Sequence, residues 1–114
     1  MEYKVVFHIN ELDKWNTLLT NLKNLVVAGE KNTSIEVVIN GEAVKYLNTE
    51  GKLGQNLEEL TNLSGKGVIF SACRNALKGN NIKEESLYFF VNVVPAGVLE
   101  LTIKQNEGYA YIKP

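Results

Sequence analysis

Short runs dense in Val, Ile and aromatic residues recur along the chain, at Tyr3 to Ile9, Ile35 to Ile39, Val68 to Phe70 and within Leu87 to Val94, most safely at Val91 to Val94 with its start left open. None is joined to the next by a connection of hairpin length. Runs this short and this continuously apolar fit strands buried on both faces. Between the first two, Leu12, Trp15, Leu18, Leu19, Leu22, Leu25 and Val26 recur at three- and four-residue spacing, the pattern of a helix with one apolar side. Asn10 is placed to cap that helix, Asp13 falls in its first turn, and Gly29 suits a left-handed residue at its end. Strands separated by helices imply right-handed crossovers. The expected architecture is therefore α/β, a three-layer α/β/α sandwich with a mainly parallel five-stranded sheet.

The remaining connections follow from the same reading. Asn40-Gly41 taken alone signals a tight hairpin, but Ala43, Val44 and Leu47 follow helical spacing and no alternating return strand appears. A short helix is expected there, then a loop through Gly51 and Gly54, then a helix carrying Leu53, Leu57, Leu60 and Leu63 that Ser64-Gly65-Lys66-Gly67 breaks. Ser71 to Leu77 turns the Val68-Ile69-Phe70 strand into a helix ended by Gly79. Pro95-Ala96-Gly97 starts another helix, with Val98, Leu99, Leu101 and Ile103 as its apolar side. Gly108 stops it, and Tyr109 to Ile112 is the last strand.

A length of 114 residues predicts one domain over residues 1–114, and a 45% apolar composition can fill its core without staples. Twelve basic against thirteen acidic side chains give a net charge of −1, which removes the attraction behind non-specific nucleic-acid binding. The opening Met1-Glu2-Tyr3-Lys4 has no leader pattern, and no apolar stretch approaches the ~18–20 residues of a membrane helix. No membrane or nucleic-acid partner is expected, and a cytoplasmic location is, where a lone thiol stays reduced.

In a parallel sheet ligands gather beyond the C-terminal strand ends, so the turns His8 to Asp13, Asn40 to Glu42 and Ser71 to Asn75 are where chemistry belongs. Cys73, the single cysteine, falls in the first turn of its helix, where unpaired amides and the helix dipole favour a thiolate, and Arg74 adds positive charge. Such a thiolate suits persulfide formation; a lone cysteine is also an ordinary small buried hydrophobe. His8, the only histidine, shares a face with Val6 near the end of its strand and is placed to orient a group near Cys73, or to serve as a hydrogen-bonded structural residue. One histidine and one cysteine exclude a structural zinc site, and no metal or cofactor is expected.

Other signatures fail. Ser64-Gly65-Lys66-Gly67 lacks the spacing and following hydroxyl of a P-loop and precedes a strand instead of following one. Asn10-Glu11-Leu12-Asp13 has no glycine for a dinucleotide, and Ser71 and Cys73 stand where a receiver domain would need its phosphoacceptor Asp. No Gly-x-Ser-x-Gly elbow exists. Glu11, Asp13 and Glu42 read as solvated charges at helix ends.

Three stretches taken together carry a likeness: Val68-Ile69-Phe70-Ser71-Ala72-Cys73-Arg74-Asn75-Ala76-Leu77, Val93-Val94-Pro95-Ala96-Gly97-Val98, and Glu107-Gly108-Tyr109-Ala110-Tyr111-Ile112-Lys113-Pro114. With Val6-Phe7-His8-Ile9-Asn10-Glu11 and Asp13-Lys14-Trp15, the chain resembles the DsrE/DsrF-like family of small α/β proteins along its whole length. Tyr109 stands where the closing Gly-aromatic pair would have Trp. Sulfur-relay members of that family hold a cysteine in a strand-to-helix turn and pass sulfur as a persulfide. The resemblance places Cys73 there and implies a trimer or hexamer with its site near a subunit boundary and a sulfur donor or acceptor protein as partner. The expected function is thus sulfur handling on Cys73, in a pocket lined by His8, Asn10, Asn40, Gly41, Arg74 and Asn75. Two rivals stand beside it: an oligomeric small-ligand-binding or interaction module with a structural cysteine, and a redox sensor in which Cys73 is oxidised.

Overall fold

The apolar run at the start of the chain becomes β1 (Tyr3–Ile9), with the boundaries its composition predicts. A computed structural model describes residues 2–29, 31–51 and 57–114. After β1 a 3₁₀ turn at Leu12–Lys14 leads into α1 (Trp15–Ala28), which buries Trp15, Leu18, Leu19 and Leu22. Next come β2 (Thr33–Ile39), a 3₁₀ segment at Gly41–Leu47, and α2 (Leu57–Gly65). The rest is β3 (Ile69–Cys73), the short α3 (Arg74–Gly79), β4 (Val91–Val94), α4 (Gly97–Asn106) and β5 (Ala110–Ile112). Leu53, expected in the second helix, lies outside the described residues.

All strand pairs are parallel, in the order β4-β3-β2-β1-β5. The hairpin that Asn40-Gly41 signals does not form. Gly41 instead takes φ +56 and opens the 3₁₀ segment; a Cβ there would sit 2.9 Å from the Asn10 carbonyl, so the position needs glycine on both counts.

Because β1 to β4 advance in one direction across the sheet, right-handed crossovers put α1, the 3₁₀ segment, α2 and α3 on one face, and the return to β5 puts α4 on the other, the one helix there among the described residues. The first face holds the main core. Val5, Phe7 and Ile9 of β1, Ile35, Val37 and Ile39 of β2, and Phe70 and Ala72 of β3 pack there against α1, Leu60 and Leu63. Trp15 ties the layer together: its ring stacks on Tyr46 at 4.5 Å between centroids, and its Nε1–H donates to the Ala43 carbonyl at 3.0 Å. On the second face the buried apolar group is Val6, Val38 and Leu101, with Tyr109 packed beside it.

Four expectations are corrected. Asn10 does not cap the first helix: Glu11 precedes the 3₁₀ turn, Lys14 precedes α1, and neither caps with its side chain. Gly29 ends α1 in the right-handed region, at φ −82; glycine is required because a Cβ would collide with the Thr33 hydroxyl. Ser71, Ala72 and Cys73 belong to β3, since ladder pairing with β2 and β4 and burial on both faces outweigh their weak strand preference. Finally, of the apolar side of α4 only Leu101 is buried, while Val98, Leu99 and Ile103 are exposed, Val98 by 68% and Leu99 by 51%. Periodicity identifies which side of a helix is apolar, not what covers it.

Candidate functional site

Cys73 is the last residue of β3 and the cap residue of α3, extended at φ −73, ψ 119. It lies just before the first turn, one step earlier than the sequence suggests, and its side chain makes no capping hydrogen bond. Pairing fixes what sits beside it. Cys73 is in register with Val94 at the end of β4, and three residues later the chain returns over it as Gly97, the first residue of α4. Gly97 is buried; a Cβ on it would lie 3.4 Å from the Cys73 Cβ and 3.3 Å from the Asn40 Nδ2. Glycine here lets a helix start approach the thiol side chain closely. In α4 the amides of Gly97, Val98 and Leu99 precede the first intrahelical bond, Glu100 N–H to the Ala96 carbonyl. Two helix starts therefore meet at one 7%-exposed cysteine.

A polar chain reaches the same place from β5. His8 Nδ1 is 2.7 Å from the Tyr111 hydroxyl and His8 Nε2 is 3.0 Å from Asn40 Oδ1. Since an amide oxygen can only accept, Nε2–H donates to Asn40; with neutral imidazole, Nδ1 then accepts from the Tyr111 hydroxyl. Asn40 is thereby held with its NH₂ toward Gly97. Tyr111, His8, Asn40, Gly97 and Cys73 form one continuous line across the strand ends.

Of the residues expected in the pocket, Asn40 lies across Gly97 from Cys73, and His8 reaches only as far as Asn40. Arg74 is not: its Nε donates to Glu84 Oε2 at 2.8 Å and its Nη2 to Glu84 Oε1 at 3.4 Å. That bond and the attraction behind it hold Glu84 below the usual carboxylate range. The guanidinium is occupied on the solvent side, so adjacency in sequence does not bring its charge to the thiol. Asn75 is exposed on α3. Asn10 and Gly41 approach each other closely at the turns after β1 and β2, where the Gly41 carbonyl also accepts from Asn80 Nδ2 at 3.2 Å. Gly97 and Tyr111 are the neighbours that sequence reasoning missed. Their signal was present, in a glycine directly after Pro95-Ala96 and in a strand whose alternate positions carry tyrosine.

Among the described residues, no helix is long and apolar enough to cross a membrane. The architecture is shared with solved structures. A protein of unknown function from Methanobacterium thermoautotrophicum, MTH1491, is 34% identical, with a TM-score of 0.88 over 99% of this chain and 100% of that one. A conserved protein of unknown function from Bacteroides thetaiotaomicron, BT1422, shares the fold at 17% identity and a TM-score of 0.75, covering 97% of this chain and 94% of its own. The ychN protein from E. coli does so at 18% identity and 0.70, with both chains covered completely. No curated protein matches the chain. The model of the DsrE/DsrF-like family matches residues 4–114, and with the all-parallel sheet and the cysteine at its strand end this chain belongs to that family.

Proposed function

We propose that the protein handles sulfane sulfur as a persulfide on Cys73. Membership of the DsrE/DsrF-like family supports a sulfur-relay-related role. The observation that carries the finer reading is the seat of the cysteine, at the start of α3 with the first residue of α4 against its Cβ. Amide donors at helix starts stabilise a sulfur anion, whether thiolate or persulfide. In the transfer, the Cys73 thiolate attacks the terminal sulfur of a donor persulfide R–S–SH. The new S–S bond forms as the donor's breaks, and the donor leaves as R–S⁻. In this reading the amide of Asn40, whose oxygen is held by His8 and whose nitrogen lies against Gly97, donates to the incoming sulfur. With one cysteine in the chain, onward transfer goes to another molecule or subunit. The reading includes a single domain in a reducing cytoplasm and assembly as a homotrimer or hexamer, which the exposed Val98, Leu99 and Ile103 of α4 support.

The test is intact mass after incubation with a low-molecular-weight persulfide. The expected result is a gain of one sulfur, reversed by reductant and absent in Cys73→Ser. An unmodified protein under those conditions overturns the reading. The exposed apolar residues of α4 also favour the interaction-module reading. It predicts self-association without sulfur uptake.

A further inference from the structure

One carboxylate is out of place beneath α4. Glu36 stands in β2, the middle strand of the sheet, and is only 4% exposed. Its Oε2 accepts the Ser71 hydroxyl at 2.6 Å, while its Oε1 is buried with no hydrogen-bond partner. A buried carboxylate normally has both oxygens satisfied. Two side chains from α4 face it. The Glu100 carboxyl is within hydrogen-bonding reach, and Lys104 Nζ is 4.0 Å from Oε1, too far for a hydrogen bond.

Among the described residues, the other neighbours add no cation. From β1, Val6 is in register with Glu36, Lys4 is turned to the Glu107 carbonyl at 3.4 Å, and His8 is engaged by Tyr111 and Asn40. From β3 come Ile69 and Ser71. Lys104 is itself divided between Glu36, Glu107 at 3.5 Å, and the Tyr109 ring at 5.3 Å. The cluster is short of one positive charge and Oε1 is short of one hydrogen. A single proton supplies both.

We propose that Glu36 and Glu100 hold one proton between them and that this proton latches α4 onto the sheet. With it, Glu36 donates to Glu100 while still accepting from Ser71, and Lys104 balances the one remaining negative charge. When the proton leaves to solvent, two like charges face each other across the helix–sheet contact. The apolar grip that resists their separation is small: Val6, Val38 and Leu101. Burial, and then the facing Glu100, push Glu36 up to about 7, so the latch works across neutral pH. The same helix begins with Gly97 on Cys73 and Asn40, so unlatching loosens the niche around the thiol. That last consequence rests on the reading of Cys73 given above; the latch does not.

Hydrogen exchange of the α4 amides from Leu101 to Asn106, corrected for the intrinsic pH dependence of exchange, tests it. Protection should fall about tenfold between pH 6 and pH 8, because each unit separating ionisation in the closed and open states is a factor of ten. Protection of α1 should not change, and in Glu36→Gln, whose amide can donate without titrating, α4 should become indifferent to pH. Level protection in the wild type, or the same pH dependence in Glu36→Gln, overturns the proposal. Should that variant not fold, the infrared carbonyl band of a protonated carboxyl in the unaltered protein decides: present at pH 6 and lost by pH 8 if the latch exists, missing at pH 6 if it does not. No readout involves sulfur uptake, so the latch and the persulfide reading fail separately.

Discussion

The two faces of the sheet are built on opposite plans. On the α1 face, Val5, Phe7 and Ile9, Ile35, Val37 and Ile39, and Phe70 and Ala72 form a continuous apolar surface and meet a layer whose side chains interlock around Trp15 and Tyr46. On the α4 face the same strands present His8, Glu36, Asn40, Ser71 and Cys73, and one ten-residue helix covers them with a single buried leucine. The contrast separates stability from chemistry. The first face makes the fold, which leaves the second free to keep polar and nucleophilic groups that a well-packed core would exclude.

The largest effect should come from breaking the first face. Trp15→Ala removes a fully buried ring, its stacking on Tyr46 and the hydrogen bond to Ala43, and should cost roughly 3–5 kcal/mol in denaturant unfolding. Leu101→Ala on the second face should cost about 2 kcal/mol, the low end for such a truncation, because its surroundings can collapse or fill with water. Equal costs would mean that α4 carries as much of the fold as α1 does, and the contrast would fail.

The second effect has a sign set by Glu36. In the folded chain its carboxyl is pushed up to about 7, by burial first and then by Glu100, from an ordinary value of 4.5. Between those two values the unfolded chain binds fewer protons than the folded one, so stability must fall as pH rises across that window and level off above it. The loss should amount to roughly 2–3 kcal/mol between pH 4.5 and 8 from this residue alone. Denaturant unfolding of wild type against Glu36→Gln isolates it: the variant should gain on the wild type as pH rises. A gap that is constant with pH would show that Glu36 is ionised throughout.

What could be read in the sequence follows the same division. β1 is legible to the residue, and so is the parallel arrangement, because a strand buried within the sheet leaves a nearly unbroken apolar run; the start of β4 is not, since Leu87 to Val94 is apolar but for Asn92 and marks no boundary at Val91. The end of β3 is not: Ser71, Ala72 and Cys73 are small and weakly strand-forming, and only their pairing with Val38, Ile39 and Val94 keeps them extended. Cys73, His8 and Asn40 lie at one edge of the sheet, as the sequence implies, because the C-terminal ends of neighbouring parallel strands lie side by side. Arg74 misled, since proximity in sequence says nothing about a long side chain whose partner, Glu84, lies ten residues on. Glu36 was overlooked although it interrupts Ile35-Glu36-Val37-Val38-Ile39, where a charge in a doubly covered strand needs a partner.

The third prediction sharpens the comparison at the site itself. Gly97→Ala places a methyl 3.3–3.4 Å from Asn40 and Cys73, tighter than ordinary contact, in a backbone conformation open to any residue. Global stability should stay within about 1 kcal/mol of wild type, as better helix propensity offsets the crowding. Sulfur uptake by Cys73 should slow by about fivefold, the equivalent of about 1 kcal/mol in the barrier. A rate equal to wild type would show that the incoming sulfur approaches from a side that Gly97 does not border.

The smallest effect should come from the charge beside the cysteine in sequence. If the thiol is served by backbone amides and by Asn40, the Arg74 guanidinium, held by Glu84, adds nothing to it. Arg74→Gln should then leave both the rate of sulfur uptake and the pH at which that rate is half-maximal where they are in the wild type. Glu84→Gln supplies the complementary variant, because it frees the guanidinium to swing toward Cys73. If Arg74→Gln slows uptake while Glu84→Gln quickens it, the side chain does sample the thiol. The chemistry of the second face would then depend on a mobile charge, instead of on the fixed helix starts that the positions of Gly97 and Cys73 favour.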